Sequence, residues 1–80
     1  MFKVYSIDNC GYCSRAFNLL MMQGRDFEAV KLADTEKGKF LDDRGFGPGS
    51  RTFPRVYQLN DAGEEVLIGG YDDLRKVFQA

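Results

Sequence analysis

The sequence has 80 residues and a formal net charge of −1, which predicts one domain over residues 1–80 and excludes the basic surface of a nucleic-acid binder. Hydrophobic residues make up 44% and charged residues 29%, as in an ordinary globular protein. No segment has the roughly 20 apolar residues that span a bilayer, and the start shows no signal-peptide pattern. We therefore expect no membrane association and a cytoplasmic location.

The first predicted elements are a strand and a helix. Residues 2–7 are rich in aromatic and β-branched side chains and end at an Asp-Asn pair that favours a turn, which predicts a strand. Residues 11–22 show helical spacing, and Gly24 is a suitable helix stop. The apolar residues at that spacing are Ala16, Phe17, Leu20 and Met21.

A second strand and a short helix complete the first half. Residues 27–32 predict the strand, and a strand-helix-strand unit favours parallel pairing with a right-handed crossover. Residues 34–43 predict a helix capped by Asp34 or Thr35. Its expected buried residues are Phe40 and Leu41.

The second half predicts a hairpin and a last helix. Residues 55–59 and 65–68 are strand-like and are joined by a short turn, which indicates antiparallel pairing. The pair Gly69-Gly70 breaks the strand, and Asp72 or Asp73 can begin the last helix. Its inner face is expected at Leu74, Val77 and Phe78.

The predicted order is therefore β-α-β-α-β-β-α. Helices on both faces of a four-stranded mixed sheet would bury the sheet. The expected fold class is α/β, a three-layer sandwich of the thioredoxin-like type.

Two cysteines, Cys10 and Cys13, lie where the first strand gives way to the first helix. Free backbone N–H groups and the helix dipole favour an anion at that point, so we expect a lowered pKa for the Cys10 thiol. Cys13 follows one turn later on the same face and can close a disulfide. Cys10 is predicted to attack a disulfide and Cys13 to resolve it. Asp8 would oppose the thiolate, and because the chain has no His, Arg15 is a candidate cation.

Other interpretations of the Cys pair are open. A structural zinc site needs four ligands, and with two Cys and no His in the sequence we expect no metal. Two buried, unreactive thiols are an alternative. The position of the pair within a strand-helix-strand unit favours redox activity.

Two later motifs have structural explanations when each is taken alone. Thr52-Phe53-Pro54 precedes the third strand, where a Pro is tolerated. Gly70-Tyr71-Asp72 suits a turn followed by a helix cap. In this order with the Cys pair, however, the whole chain resembles the glutaredoxin family, and in particular the short glutaredoxins of tailed bacteriophages.

The resemblance implies a thiol–disulfide oxidoreductase that uses glutathione as co-substrate. Cys10 would carry the mixed disulfide, Pro54 would be cis and face the Cys pair, and the Phe53 backbone would pair with the glutathione cysteine as an added strand does. Asp72 would face the ammonium group of the γ-glutamyl end. The implied glutathione-binding residues are Tyr12, Thr52, Phe53, Pro54, Gly70, Tyr71 and Asp72.

The resemblance also implies partners and leaves alternatives. The implied substrates are disulfide-containing proteins, ribonucleotide reductase among them. The protein would be a monomer in a bacterial cytoplasm, or in the host cytoplasm if the chain is phage-encoded. Gly11 replaces the common Pro of the motif, and the Lys often found shortly before the first Cys is absent; Arg51 or Arg44 is a candidate substitute. Reduction by thioredoxin reductase, a glutathione-ligated iron–sulfur cluster, and a fold kept only for protein contact are the alternative functions.

Overall fold

The computed structural model describes residues 1–79, and its elements follow the predicted order. The strands are β1 (Phe2–Ser6), β2 (Phe27–Lys31), β3 (Arg55–Leu59) and β4 (Glu65–Gly69), and the helices are α1 (Gly11–Met22), α2 (Asp34–Asp43) and α3 (Tyr71–Val77). Among residues 1–79, no helix has the length and apolar character needed to cross a bilayer.

The four strands form one mixed sheet in the order β2-β1-β3-β4. β1 pairs with β2 in parallel, whereas β1 with β3 and β3 with β4 are antiparallel. Because β1 and β3 run in opposite directions, the C-terminal end of β1 and the N-terminal end of β3 lie at the same end of the sheet. Cys10, which follows β1, and Pro54, which precedes β3, are thereby brought to one place.

The sheet has a separate apolar cluster on each face, so the expected three-layer sandwich is confirmed. Val4 and Tyr5 are neighbours in β1 and point to opposite faces, as strand geometry requires. The first cluster includes side chains of α1 and α3, and its buried members are Phe2, Val4, Ala16, Leu20, Val56 and Leu74. The second includes α2, and its buried members are Tyr5, Cys13, Leu41, Phe53 and Tyr57.

The predicted inner faces of two helices were wrong in one residue each. Met21 is 59% exposed, because the buried face of α1 contains Leu20, the residue before it. Val77 is 50% exposed. Phe78, one turn after the buried Leu74, packs against the first cluster instead, with its ring 5.9 Å from that of Phe2.

The predicted helix caps were also wrong, by one to three residues. Ala33, not Asp34 or Thr35, precedes α2, and Gly70 precedes α3. In each helix the acidic residue three positions on accepts a hydrogen bond from the backbone N–H at the cap, at 2.9 Å for Glu36 and 3.2 Å for Asp73. The acids therefore act from inside the first turn, where the helix dipole also favours them.

A charged cluster fixes the end of α2 to the sheet. The guanidinium of Arg44 lies 4.6 to 4.8 Å from the ring centres of Tyr5, Phe40 and Tyr57 and donates to Glu65 at 2.5 Å. Glu65 also accepts from the Tyr5 hydroxyl at 2.8 Å. The hydrogen bond from Arg44, followed by that from Tyr5, lowers the pKa of Glu65 from 4.5 to about 2 against the opposing effect of burial. Glu65 is therefore ionised throughout the physiological pH range.

Glu65→Gln should destabilise the protein by about 1–2 kcal/mol at pH 7. The full pKa difference corresponds to about 3 kcal/mol, and solvent screening of this partly exposed pair reduces that value. Because the folded-state pKa is lowered, the stabilisation is complete above about pH 5 and is lost as the pH falls through about 2. Urea unfolding at pH 7 and at pH 2 measures both effects.

The matched control for this experiment is Glu28→Gln, which removes an exposed carboxylate from β2. The parent and Glu65→Gln should differ at pH 7 and converge near pH 2, while Glu28→Gln should follow the parent. Equal stability of the two variants at pH 7 would contradict the role of the cluster.

Candidate active site

The junction between β1 and α1 places Cys10 at the helix start, as predicted. Asn9 has φ of 54°, a left-handed conformation that Asn tolerates, and the chain turns there from strand to helix. Cys10 is the N-cap of α1, and its Sγ accepts a hydrogen bond from the backbone N–H of Cys13 at 3.2 Å. This N–H and the helix dipole favour a thiolate at Cys10.

The two cysteines form a disulfide, with their Cα atoms 5.2 Å apart. They differ in exposure: Cys10 is half-buried, and Cys13 is only 2% exposed. A substrate disulfide can therefore approach Cys10 but not Cys13. This difference supports the predicted division between an attacking and a resolving cysteine.

The loop before β3 lies directly against Cys10. The peptide bond between Phe53 and Pro54 is cis, as the resemblance implied. The carbonyl oxygen of Phe53 is 3.6 Å from Cys10 Sγ. Because a carbonyl accepts hydrogen bonds, this contact favours the protonated thiol, and stabilisation of the thiolate has to come from the helix start.

Arg55 holds this loop in place, a role that the sequence reasoning missed. It is 9% exposed although it is charged. Its guanidinium donates to the carbonyl oxygens of Thr52 at 2.8 Å and Ser50 at 2.5 Å, and to the Thr52 hydroxyl at 3.1 Å. It also lies 4.4 Å from the ring centre of Phe46. The only sequence signal was an Arg at the first position of a strand, which alone predicts no such contact.

A first hollow of about 370 Å³ opens between Tyr12 at the start of α1, the loop that carries Pro54 and the start of α3. The rings of Tyr12 and Tyr71 face each other at 6.0 Å. Arg15, the candidate cation for the thiolate, lies 5.1 Å from the ring centre of Tyr12 instead. All seven residues that the resemblance implied for glutathione line this hollow: Tyr12, Thr52, Phe53, Pro54, Gly70, Tyr71 and Asp72.

The two adjacent acids at the start of α3 have different tasks. The Asp73 carboxylate bonds back to the Gly70 N–H at 3.2 Å. This leaves no room for a side chain at residue 69, because a Cβ on Gly69 would collide with Asp73. Both acids line the hollow, but the Asp72 side chain takes no part in that bond and is 75% exposed. Of the two acids, Asp72 is the one placed to meet a ligand cation.

A second hollow of about 510 Å³ continues past Phe53 toward α2. Two cationic side chains line it: Lys37, 3.4 Å from Asp34, and Arg51, 2.8 Å from Asp42. Arg44, the other sequence candidate, is bound in the Glu65 cluster instead. Lys37 was missed, although it lies four residues before the buried Leu41 and so shares its face of α2.

These features place the chain among the thiol–disulfide oxidoreductases with a thioredoxin-like fold. The family model for glutaredoxins matches residues 2–62, and the chain belongs to the glutaredoxin family. No curated protein sequence matches it at a significant level.

Solved glutaredoxin structures have the same fold. The solution structure of a glutaredoxin from Brucella melitensis is 26% identical with a TM-score of 0.68, over 95% of this chain and 75% of that one. The crystal structure of glutaredoxin 1 from Francisella tularensis, complexed with cacodylate, is 23% identical with a TM-score of 0.74, over 94% and 87%. The buckwheat glutaredoxin–glutathione complex is 30% identical with a TM-score of 0.68, over 94% and 64%.

Limited alkylation should separate the two thiols. In the reduced protein, iodoacetamide at neutral pH should modify Cys10 at least about tenfold faster than Cys13, because only Cys10 is both exposed and at the helix start. Peptide mass spectrometry at short times measures the two rates. Equal rates in the folded protein would contradict the assignment, and equal rates in urea serve as the control.

Proposed function

We propose that this domain, residues 1–80, is a dithiol glutaredoxin that uses glutathione to reduce protein disulfides and glutathione mixed disulfides. The observation that carries the proposal is the first hollow, which Phe53 connects to Cys10 because the Phe53 carbonyl oxygen lies 3.6 Å from Cys10 Sγ. It is lined by the residues that the family resemblance implies for glutathione, although they come from three separate parts of the chain.

The proposed reaction has two halves. The Cys10 thiolate attacks a substrate disulfide, forms a mixed disulfide and releases one substrate thiolate, which takes up a proton. Cys13 loses its proton and attacks the Cys10 sulfur, which releases the second substrate thiol and leaves the Cys10–Cys13 disulfide. One glutathione then opens that disulfide to give a glutathionylated Cys10, and a second attacks the glutathione sulfur. The products are glutathione disulfide and the reduced dithiol.

Glutathione is proposed to lie across both hollows with its sulfur at Cys10. Its cysteine backbone would pair with the Phe53 backbone, and its ammonium group would face the Asp72 carboxylate. Its glycine carboxylate would lie between Lys37 and Arg51, which would supply the positive charge that the missing Lys provides in other members. The buckwheat relative, solved as a glutathione complex, supports a ligand of this kind.

Turnover of a small glutathione mixed disulfide, coupled through glutathione reductase to NADPH oxidation, tests the proposal. We expect robust turnover by the parent and none by Cys10→Ser, because the remaining thiol, Cys13, is buried. Cys13→Ser should retain activity on this substrate, which needs only Cys10, and should lose activity on protein disulfides.

Other results would redirect the proposal. Full activity of Cys10→Ser would contradict the assignment of the nucleophile. No turnover by the folded, reduced parent would remove glutathione as co-substrate. Reduction by NADPH and thioredoxin reductase without glutathione would then identify a different electron source. Visible absorbance after anaerobic purification would indicate a cluster-binding protein.

Lys37→Gln should raise KM for glutathione about three- to tenfold and leave kcat nearly unchanged. The change removes one charge-assisted hydrogen bond to a part of the ligand remote from the reacting sulfurs. Lys39→Gln is the matched control, because Lys39 lies on the same helix and pairs with Asp43 at 2.7 Å outside the groove. Similar KM values for the two variants would argue against glutathione binding at Lys37.

The protein partner is a separate proposal. The resemblance to the short phage glutaredoxins supports ribonucleotide reductase as a substrate of a cytoplasmic, monomeric reductant. Deoxyribonucleotide formation by an oxidised reductase, supplied with this protein and glutathione, tests that partner directly.

A further inference from the structure

An ion pair near the Cys pair lies outside the lining of the two hollows proposed for glutathione. Lys31 Nζ and Asp8 Oδ1 are 2.5 Å apart. The two residues line a third hollow, of about 420 Å³, together with Cys10 and Cys13. They are the charged residues of its lining, so they are the charges on this side of the site.

The sheet register places Lys31 opposite Asp8. Lys31 is the last residue of β2 and pairs with Ser6, the last residue of β1, in the parallel ladder. The N–H of Leu32 continues the pairing by donating to the Ser6 carbonyl at 2.8 Å. Asp8 follows two residues after Ser6, and the chain then turns at Asn9. The ion pair therefore forms where β1 and β2 end, next to the loop that leads from β1 to Cys10.

The carboxylate of Asp8 acts against the chemistry of Cys10. It lies two residues before Cys10 and would disfavour a second negative charge on the sulfur. In the disulfide form, the Cys10 sulfur has one N–H donor, from Cys13 at 3.2 Å, and lies 3.6 Å from the Phe53 carbonyl oxygen. With so few favourable contacts, an uncompensated carboxylate would be a substantial handicap.

The remaining charged groups near the site lie across the groove and have partners there. Asp34 faces Lys37, and Arg51 faces Asp42. Arg15 lies over the Tyr12 ring. Arg55 donates to the carbonyl oxygen of Thr52. Asp73 accepts a hydrogen bond from the Gly70 N–H, and Asp72 lies 3.9 Å from Arg75.

We propose that Lys31 neutralises Asp8 and thereby keeps Cys10 reactive, so that the two residues are opposing determinants of thiolate formation. The inference rests on the nucleophilic role of Cys10 proposed above. Lys31 is a positioning residue: it acts through Asp8 and has no contact with the substrate. The net effect of the pair on Cys10 is small, and removal of either member exposes the charge of the other.

The expected effect follows from Coulomb's law. A single nearby charge in a largely solvated site shifts a pKa by about half a unit to one unit. Below the thiol pKa, such a shift changes the thiolate fraction, and hence the alkylation rate, about three- to tenfold. Because both side chains are exposed, salt should reduce the effect of an unpaired charge.

The test uses the full chain with Cys13→Ser, so that Cys10 is the single thiol. The pKa of Cys10 is measured from thiolate ultraviolet absorbance and from the pH dependence of iodoacetamide alkylation, at low and at high salt. The variants are Lys31→Gln, Asp8→Asn and the double substitution, and Lys39→Gln is the control. Thermal unfolding shows that each variant is folded.

The two single variants should shift the pKa of Cys10 in opposite directions. Lys31→Gln should raise the Cys10 pKa and slow alkylation, Asp8→Asn should lower the pKa and speed alkylation, and the double variant should lie close to the parent. High salt should bring both single variants toward the parent. A Lys31→Gln pKa equal to that of the parent, or shifts of the same sign in both single variants, would overturn the proposal.

This outcome is separable from that of the glutathione proposal, because alkylation requires no glutathione. If the two single variants shift the Cys10 pKa in opposite directions but the parent shows no glutathione turnover, only the proposal of glutathione as co-substrate is wrong. If the parent shows glutathione turnover but the opposite shifts are absent, only the proposed role of Lys31 is wrong.

Discussion

The backbone N–H of Cys13, directed at the sulfur of Cys10, is the interaction on which the site depends. With no His in the chain, no imidazole can take the proton of the proposed nucleophile, so the helix start has to stabilise the thiolate. This requires a helix that begins one residue after Cys10, which in turn requires a strand that ends just before it. The antiparallel pairing of β1 and β3 then brings the Pro54 loop to the same end of the sheet. The topology of the sheet and the chemistry of the sulfur are therefore linked through one short junction.

Aromatic and charged contacts outside the proposed glutathione groove stabilise α2, which lines one side of it. The Phe40 ring lies 4.5 Å from that of Tyr5 and 5.9 Å from that of Phe53, so α2 contacts both the sheet and the loop against Cys10. Arg44 and Glu65 fix the end of the same helix. The position of α2 therefore depends on contacts remote from the sulfur, although α2 carries a cationic residue of the groove.

Local patterns in the sequence predicted the elements and the chemistry, and long-range contacts account for what they missed. Periodicity gave the element order, and the position of Cys10 at a strand-helix junction is visible in a few residues. Arg55 could not be identified, because its role depends on a loop that wraps around its guanidinium. Phe78 was predicted correctly on the inner face of α3, where it contacts Phe2, whereas helical spacing alone could not show that Val77 stays exposed. Lys37 was accessible in principle from its spacing to Leu41, once the face of α2 was known.

The contact between Cys10 and the Phe53 carbonyl joins residues 43 positions apart, whereas the two cysteines are three positions apart. Disulfide formation between the cysteines is thus a local event that an incompletely folded chain could accomplish, but the groove has high contact order and forms only with the complete sheet. Thiol chemistry and substrate selection consequently have different folding requirements. The Cys pair is therefore synthesised before Tyr71 and Asp72, which complete the proposed glutathione groove.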